Sequence, residues 1–135
     1  MDTTRASILT VENDPILRDL MVMALEAAGY QVFTAGNAEQ ALDLLRKQRV
    51  QLVLLDLHLP QSNGLDLLEN MKKERLLGGL AVIVISGLGF KEIVRQAVNA
   101  GACGFLVKPI QVETLLARVE QALRERYARS ARTLS

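Results

Sequence analysis

Side chains that could transfer a phosphoryl group follow several short apolar runs in this sequence. Asp56, Ser86 and Lys108 each come at the end of such a run, and Glu12 follows the first one. A carboxylate beside a divalent cation can attack phosphorus and form an acyl phosphate, while a hydroxyl and an ammonium bind the remaining phosphoryl oxygens. These residue types indicate phosphoryl chemistry if the fold brings them together.

The apolar runs alternate with segments of helical period. Short runs rich in Val, Ile and Leu are typical of strands buried on both faces of a parallel sheet. Strict alternation predicts an α/β fold with right-handed crossovers and helices on both faces of the sheet. Because ligands bind at the carboxyl ends of such strands, we expect the four side chains to share one edge. The predicted strands are 7–11, 32–34, 52–56, 81–85 and 104–107; the predicted helices are 15–28, 38–47, 64–75, 91–100 and 112–126, with Asn37 and Asn63 as caps of the second and third.

The first predicted helix carries clear signals at both ends. Asp14 is its expected N-cap, Pro15 its first residue, and Gly29 follows its end. Apolar side chains spaced close to i, i+4 and i+7 predict the buried face of the helix. Those side chains are Ile16, Leu20, Met23 and Ala27.

Composition indicates one domain and excludes several classes of protein. The chain has 135 residues, half of them hydrophobic, and a formal charge of +1, which gives no electrostatic case for nucleic acid as a partner. No apolar run approaches the roughly 18 residues that span a membrane, and no signal peptide is visible. The single Cys103 excludes an internal disulfide framework and fits a reducing compartment, where we expect it to be a small buried residue. We therefore expect a cytoplasmic domain without membrane contact.

Glu12 and Asp56 predict a metal site if the first and third strands are neighbours, as in a flavodoxin-like order. Two carboxylates about 5 Å apart repel by roughly 3 kcal/mol at an effective dielectric near 20, so a cation favours the cluster. Hard oxygen ligands with room for water suit Mg²⁺ or Mn²⁺. The alternative is that Glu12 is only a solvated loop acid, and for Asp14 a role limited to helix capping is favoured.

Five motifs, in order and at matching spacing, give a specific resemblance. Over about residues 6–126 the chain resembles the receiver domain of bacterial two-component response regulators, of the chemotaxis-receiver type. The motifs are Val11-Glu12-Asn13-Asp14-Pro15, Leu54-Leu55-Asp56-Leu57-His58-Leu59-Pro60 with Gly64, Val84-Ile85-Ser86-Gly87, Ala100-Gly101-Ala102, and Phe105-Leu106-Val107-Lys108-Pro109.

The resemblance implies the fold and the roles of individual residues. The implied fold is a doubly wound, flavodoxin-like (βα)5 three-layer sandwich whose five-stranded parallel sheet has the strand order 2-1-3-4-5. Asp56 would be the phosphoacceptor, and Ser86 and Lys108 would bind phosphoryl oxygens. Mg²⁺ would be held by Glu12, Asn13, Asp56 and the backbone carbonyl of His58. Residues 1–126 would form the receiver domain and residues 127–135 an arginine-rich tail or linker.

The resemblance also implies a switch and its partners. Ser86 and Phe105 would move together on phosphorylation, and a cis bond would precede Pro109. The face formed by the fourth helix, fifth strand and fifth helix would contact a second copy or a downstream effector or output domain. The phosphoryl donor would be a sensor histidine kinase or a phosphotransfer protein, and the domain would act as a signalling switch and not as an enzyme.

One residue departs from the family pattern, and three other functions compete with the receiver interpretation. Asn13 stands where the family usually has a second acid, so weaker Mg²⁺ binding is expected. A nucleotide-binding domain is disfavoured because Glu12 and its acidic neighbours would repel phosphate after the first strand. A phosphatase of the haloacid-dehalogenase type would need its nucleophile on the first strand, whereas Asp56 is on the third. A receiver-like interaction module that takes no phosphate remains the alternative.

Overall fold

Five strands form one parallel sheet at the centre of the fold, between two layers of helices. The structure, a computed structural model, describes residues 6–59, 62–74, 76, 78–89 and 91–134, without the side chains of 62 and 128–134. In chain order the strands are β1 (Ser7–Val11), β2 (Gln31–Ala35), β3 (Leu52–Asp56), β4 (Ala81–Ser86) and β5 (Gly104–Val107). They lie in the order β2-β1-β3-β4-β5 with every pair parallel, which confirms the predicted order 2-1-3-4-5.

Among the described residues, four helices connect the strands and a fifth follows β5, and the predicted caps begin three of the five. Asp14, Asn37 and Asn63 accept hydrogen bonds from the backbone amides of Ile16, Gln40 and Leu65. These bonds satisfy amides that have no partner inside the helix. The helices are α1 (Pro15–Ala27), α2 (Ala38–Lys47), α3 (Gly64–Lys73), α4 (Lys91–Asn99) and α5 (Val112–Leu134).

Alternate side chains of the central strands point into two separate cores. On β3, Leu52 and Leu54 pack into one core, and Val53 and Leu55 pack into the other. The first core is covered by α1 and α5, and the second by α2, α3 and α4. The result is the predicted three-layer sandwich, in which strands buried on both faces hold the loops of the sheet edge at fixed positions.

The predicted buried face of α1 is wrong. Ile16 is 81% exposed and Met23 is 70% exposed, whereas Met21 and Leu25 are fully buried against the sheet. Two overlapping apolar stripes exist on this helix, and both satisfy helical spacing. Packing of α1 against β1 and α5 selects the stripe that contains Met21 and Leu25. Helical periodicity alone could not tell the two stripes apart.

The last helix and the cysteine also differ from the predictions. Helix α5 does not stop at Arg126 but continues to Leu134, because the intervening residues include neither Gly nor Pro and several are good helix formers. Cys103 lies just before β5 and is exposed, not buried. Among the described residues, none of the helices combines the length and the hydrophobicity that crossing a bilayer requires.

Candidate functional site

The carboxyl edge of the sheet brings Glu12, Asp56 and Lys108 together. Val11 at the end of β1 is paired with Leu55 of β3, so Glu12 follows beside Asp56. Lys108 follows β5, and its backbone amide donates to the carbonyl of Ser86 at 2.8 Å. Strand register therefore places the three charged residues at one edge, as the sequence predicted.

Both oxygens of the Asp56 carboxylate have a donor. The Lys108 ammonium lies 2.7 Å from Oδ2, and the backbone amide of His58 donates to Oδ1 at 2.9 Å. Burial disfavours ionisation of Asp56, but hydrogen bonds with Glu12, Lys108 and the His58 amide outweigh it and hold the pKa of Asp56 below its usual value. Asp56 is thus an ionised, buried and oriented carboxylate.

Glu12 has the opposite titration behaviour. Burial, a hydrogen bond with Asp56 and the negative charge of Asp56 raise the pKa of Glu12 to about 8. Its Oε1 accepts from the backbone amide of Asp14 at 3.2 Å, while its Oε2 is buried and finds no donor. A bound proton resolves this, because protonated Glu12 can itself donate to Asp56. The raised pKa of Glu12 and the lowered pKa of Asp56 thus share a cause, the interaction between the two carboxyl groups.

Lys108 is the cation of this cluster. Its ammonium lies 3.8 Å from Oε1 of Glu12 as well as against Asp56. Partial burial would lower the pKa of Lys108, but the hydrogen bond and the charges of the two carboxyl groups raise it above the usual value. Lys108 therefore stays positively charged over the whole physiological pH range.

Three further predicted residues follow or end strands at the same edge of the sheet. Asn13, His58 and Ser86 line one open cavity of about 580 Å³ between the loop after β3 and α4. The Ser86 side chain is buried and accepts from the backbone amide of Leu88 at 3.0 Å. The cavity therefore lies among the immediate sequence neighbours of Glu12 and Asp56.

Two of the predicted switch residues, Phe105 and Pro109, lie in different surroundings. Phe105 is partly buried and packs against the core under α2, α3 and α4. The peptide bond between Lys108 and Pro109 is cis, as the resemblance implied.

The oxygen atoms at this edge fit a hard divalent cation. Glu12 presents the buried, unpartnered Oε2, and Asp56 lies beside it. Asp14 does not join them, because its carboxylate caps α1 by accepting from Ile16 at 3.0 Å. In the part of the chain that the structure describes, no three acid, His or Cys side chains form a metal-binding group. A cation here would therefore need amide, carbonyl and water oxygens in addition to the two carboxyl groups.

Sequence reasoning missed two contacts of the site. It assigned His58 a carbonyl role but not the amide bond to Asp56, and it did not pair Lys108 with Glu12. No residue-type signal marks a backbone donor, since every residue except Pro has one. The second contact follows from strand register, which the sequence shows only indirectly.

Comparison with known proteins agrees with this geometry. The chain is 33% identical over 135 residues to the DNA-binding response regulator MtrA of Mycolicibacterium smegmatis, which covers 100% of the chain and 58% of the relative. It is 30% identical to the phosphate regulon transcriptional regulatory protein PhoB of Pseudomonas aeruginosa, over 87% of the chain and 52% of the relative. The chain thus spans about half the length of these curated relatives.

Solved structures and a family model give the same result. A CheY-like response regulator receiver domain protein from Methanospirillum hungatei superposes with a TM-score of 0.86 at 30% identity, covering 93% of this chain and 98% of that one. The family model of the response regulator receiver domain matches residues 8–120. The chain therefore belongs to the response regulator receiver domain family.

Proposed function

We propose that Asp56 accepts a phosphoryl group from the phosphohistidine of a sensor histidine kinase or a phosphotransfer protein. An Asp56 carboxylate oxygen attacks phosphorus, the new O–P bond forms as the P–N bond breaks, and the donor imidazole leaves with a proton from solvent. The observation that carries this proposal is the ionised, buried Asp56 held between Lys108 and the His58 amide. A carboxylate that is fixed in place loses little entropy on reaching the attacking geometry.

Lys108 and Ser86 have the positions needed to bind the transferred group. Lys108 contacts Oδ2 of Asp56, so a short displacement of its ammonium would pair it with a phosphoryl oxygen bonded to that carboxylate. Ser86 lies at the adjacent strand end, and its hydroxyl proton is free to be donated while Oγ accepts from Leu88. Both residues then stabilise the negative charge that the phosphoryl group adds.

Mg²⁺ or Mn²⁺ is the cofactor we propose for this step. When bound, the cation neutralises charge on the transferred phosphoryl oxygens. Glu12, Asp56, the Asn13 amide and the His58 carbonyl would hold it, and loss of the Glu12 proton would supply the second negative charge. Because Asn13 is neutral, binding is expected to be weaker than at a site with a third carboxylate.

The output surface we propose is the face formed by α4, β5 and α5. Val107 on β5 is 49% exposed, and Val112 begins α5 beside it with partial exposure. Lys91 and Arg95 on α4 and Glu113 on α5 supply charges at this face. Such a surface could bind a second copy or a downstream effector or output domain. We propose residues 1–126 as the receiver unit and residues 127–135 as the tail or linker. Helix α5 begins in the receiver unit and continues into this tail.

Intact-mass measurement tests the proposed acceptor. Incubation with acetyl phosphate and Mg²⁺, or with a phosphorylated kinase, should add about 80 Da to the wild type. Asp56→Asn should abolish the adduct, and Asp43→Asn, which removes an exposed carboxylate on α2, should keep it. A wild type that gains no mass from either donor would contradict the proposal and favour the phosphorylation-independent module.

A further inference from the structure

Gly64, the first residue of α3, approaches the backbone of the phosphoacceptor more closely than any side chain would allow. A Cβ at this position would stand 2.6 Å from the carbonyl oxygen of Asp56 and 2.7 Å from Cα of Leu57. Real Cβ atoms essentially never come this close to backbone atoms. The backbone of Gly64 is not in the left-handed region, so the lack of space, and not the backbone conformation, is what requires glycine here.

The same residue holds the peptide unit between Leu57 and His58. The Gly64 amide donates to the Leu57 carbonyl at 3.0 Å, and the Leu57 amide donates to the Ile85 carbonyl at 2.9 Å. The backbone of Leu57 is therefore tied to α3 on one side and to β4 on the other. His58 also pairs with Asn63 in a short antiparallel ladder, which is a second connection between this segment and the start of α3.

A rigid connection links Gly64 to the carboxylate of Asp56. The Leu57 carbonyl and the His58 amide belong to one planar trans peptide unit and point in opposite directions. When Gly64 holds that carbonyl, the His58 N–H is directed away from it, toward Oδ1 of Asp56 at 2.9 Å. A Cβ at position 64 would collide with the Asp56 carbonyl oxygen and with Cα of Leu57, the atom at which the Leu57–His58 unit begins. A side chain there must displace this Cα, and the N–H of His58 then turns away from the carboxylate.

We infer that Gly64 is a positioning residue for the phosphoacceptor, because it orients the Asp56 carboxylate through the Leu57–His58 peptide unit. This inference rests on the proposed phosphorylation of Asp56. It assigns to the glycine an effect on the reaction that is separate from its effect on folding. Space for the backbone is the property that matters, so even alanine should disturb the site.

The test compares Gly64→Ala with Gly78→Ala, whose added Cβ would meet nothing within 4 Å. With acetyl phosphate and saturating Mg²⁺, Gly64→Ala should be phosphorylated at least about tenfold more slowly than wild type, as expected for a displaced nucleophile. Gly78→Ala should stay within about twofold of wild type. A Gly64→Ala rate equal to that of Gly78→Ala would overturn the inference.

A spectroscopic measurement separates positioning from stability and from the proposed function. The His58 amide proton, recorded by NMR without phosphodonor, should move upfield in Gly64→Ala and stay in place in Gly78→Ala. An unchanged His58 amide in folded Gly64→Ala would refute the inference even if Asp56 were never phosphorylated. Conversely, a shifted amide with an unphosphorylated wild type would support the orientation of the Asp56 carboxylate by Gly64 and contradict the proposed function.

Two further experiments cover the remaining outcomes. Adding Leu57→Ala to Gly64→Ala should not restore the rate, because the close contacts are with backbone; restoration would show a side-chain packing effect instead. If Gly64→Ala does not fold, hydrogen exchange in the wild type decides. The Gly64 and His58 amides should both be protected, and the His58 amide should move upfield in Asp56→Asn. Rapid exchange at either amide would contradict the inference.

Discussion

The ammonium of Lys108 lies 2.7 Å from Oδ2 of Asp56, although β4 lies between β3, which ends at Asp56, and β5, which Lys108 follows. The Lys108 backbone is anchored to Ser86 at the end of β4, and its long side chain crosses that strand end to reach Asp56. This ion pair joins the central strand to the edge strand β5. A change of charge at Asp56 therefore acts directly on the residue that follows the edge strand β5.

Lys108→Met is expected to destabilise the metal-free protein. The substitution leaves the buried Asp56 carboxylate without its cation, which should lower the free energy of unfolding at pH 7 by about 1–3 kcal/mol. Lys47→Met is the control, since Lys47 pairs with Asp43 on the exposed surface of α2, and such pairs contribute about 0.5 kcal/mol or less. Urea denaturation measures both. Equal losses would show that the Lys108 pair is no stronger than a surface pair.

Stability of the metal-free protein should fall as the pH rises from about 5 to 8. Glu12 has a folded pKa of about 8 against an ordinary value of 4.5, so between these values the folded state binds the proton that the unfolded state has released. The free energy of unfolding must therefore decrease with pH across this window. The lowered pKa of Asp56 acts in the opposite sense but at lower pH, where that carboxyl titrates.

Urea denaturation in EDTA at several pH values measures this dependence. Glu12→Gln keeps the shape of the side chain and removes its titration, so its stability should be nearly independent of pH from 5 to 8. Glu69→Gln, an exposed acid on α3, should retain the wild-type slope. A wild-type slope that persists in Glu12→Gln would assign the effect to another group.

The fold was predictable because its strongest signals are local. Buried runs such as 52–56, the helix caps Asp14 and Asn37, and Gly29 beyond α1 each have one structural interpretation. Strict alternation of strands and helices then leaves few topologies. The order of strands required the family resemblance, because nothing in the runs themselves says which strands are neighbours.

The sequence predicts which residues lie at the candidate site, but not their pKa values. Residue type and position predict that Asp56, Glu12 and Lys108 lie together, yet the opposite pKa shifts of Glu12 and Asp56 depend on burial and on distances set by strand register. The prediction of the buried face of α1 was wrong for a related reason. Ile16 and Met21 both belong to acceptable apolar stripes, and the neighbouring β1 and α5 decide which stripe is covered.

Substitutions on α1 test this assignment of its buried face. Met21→Ala and Leu25→Ala should each cost about 2–5 kcal/mol in the free energy of unfolding, because they leave cavities in the core under α1 and α5. Ile16→Gln and Met23→Gln should change it by no more than about 0.5 kcal/mol, since both side chains are exposed. Thermal or urea unfolding of the four variants gives the comparison. A large loss in Ile16→Gln would mean that the predicted stripe is buried after all.

Asn13→Asp should tighten Mg²⁺ binding by about tenfold or more, because ligand charge count is a main determinant of divalent-cation affinity. Asn13 directly follows Glu12 and lines the cavity beside His58 and Ser86, and its amide is the neutral ligand in the proposed cation site. Titration at pH 8.5, above the pKa of Glu12, limits competition from the Glu12 proton.

Asn63→Asp is the matched control for this gain. Asn63 lines the same cavity but caps α3, and Asp caps a helix equally well. The control adds the same charge nearby without adding a ligand, so its effect should be much smaller than that of Asn13→Asp and should weaken with added salt. If the two variants bind Mg²⁺ equally well, the gain comes from the general field of the cavity and Asn13 is not a ligand position. If Asn13→Asp binds no better than wild type, the missing acid does not limit the metal affinity of this receiver domain.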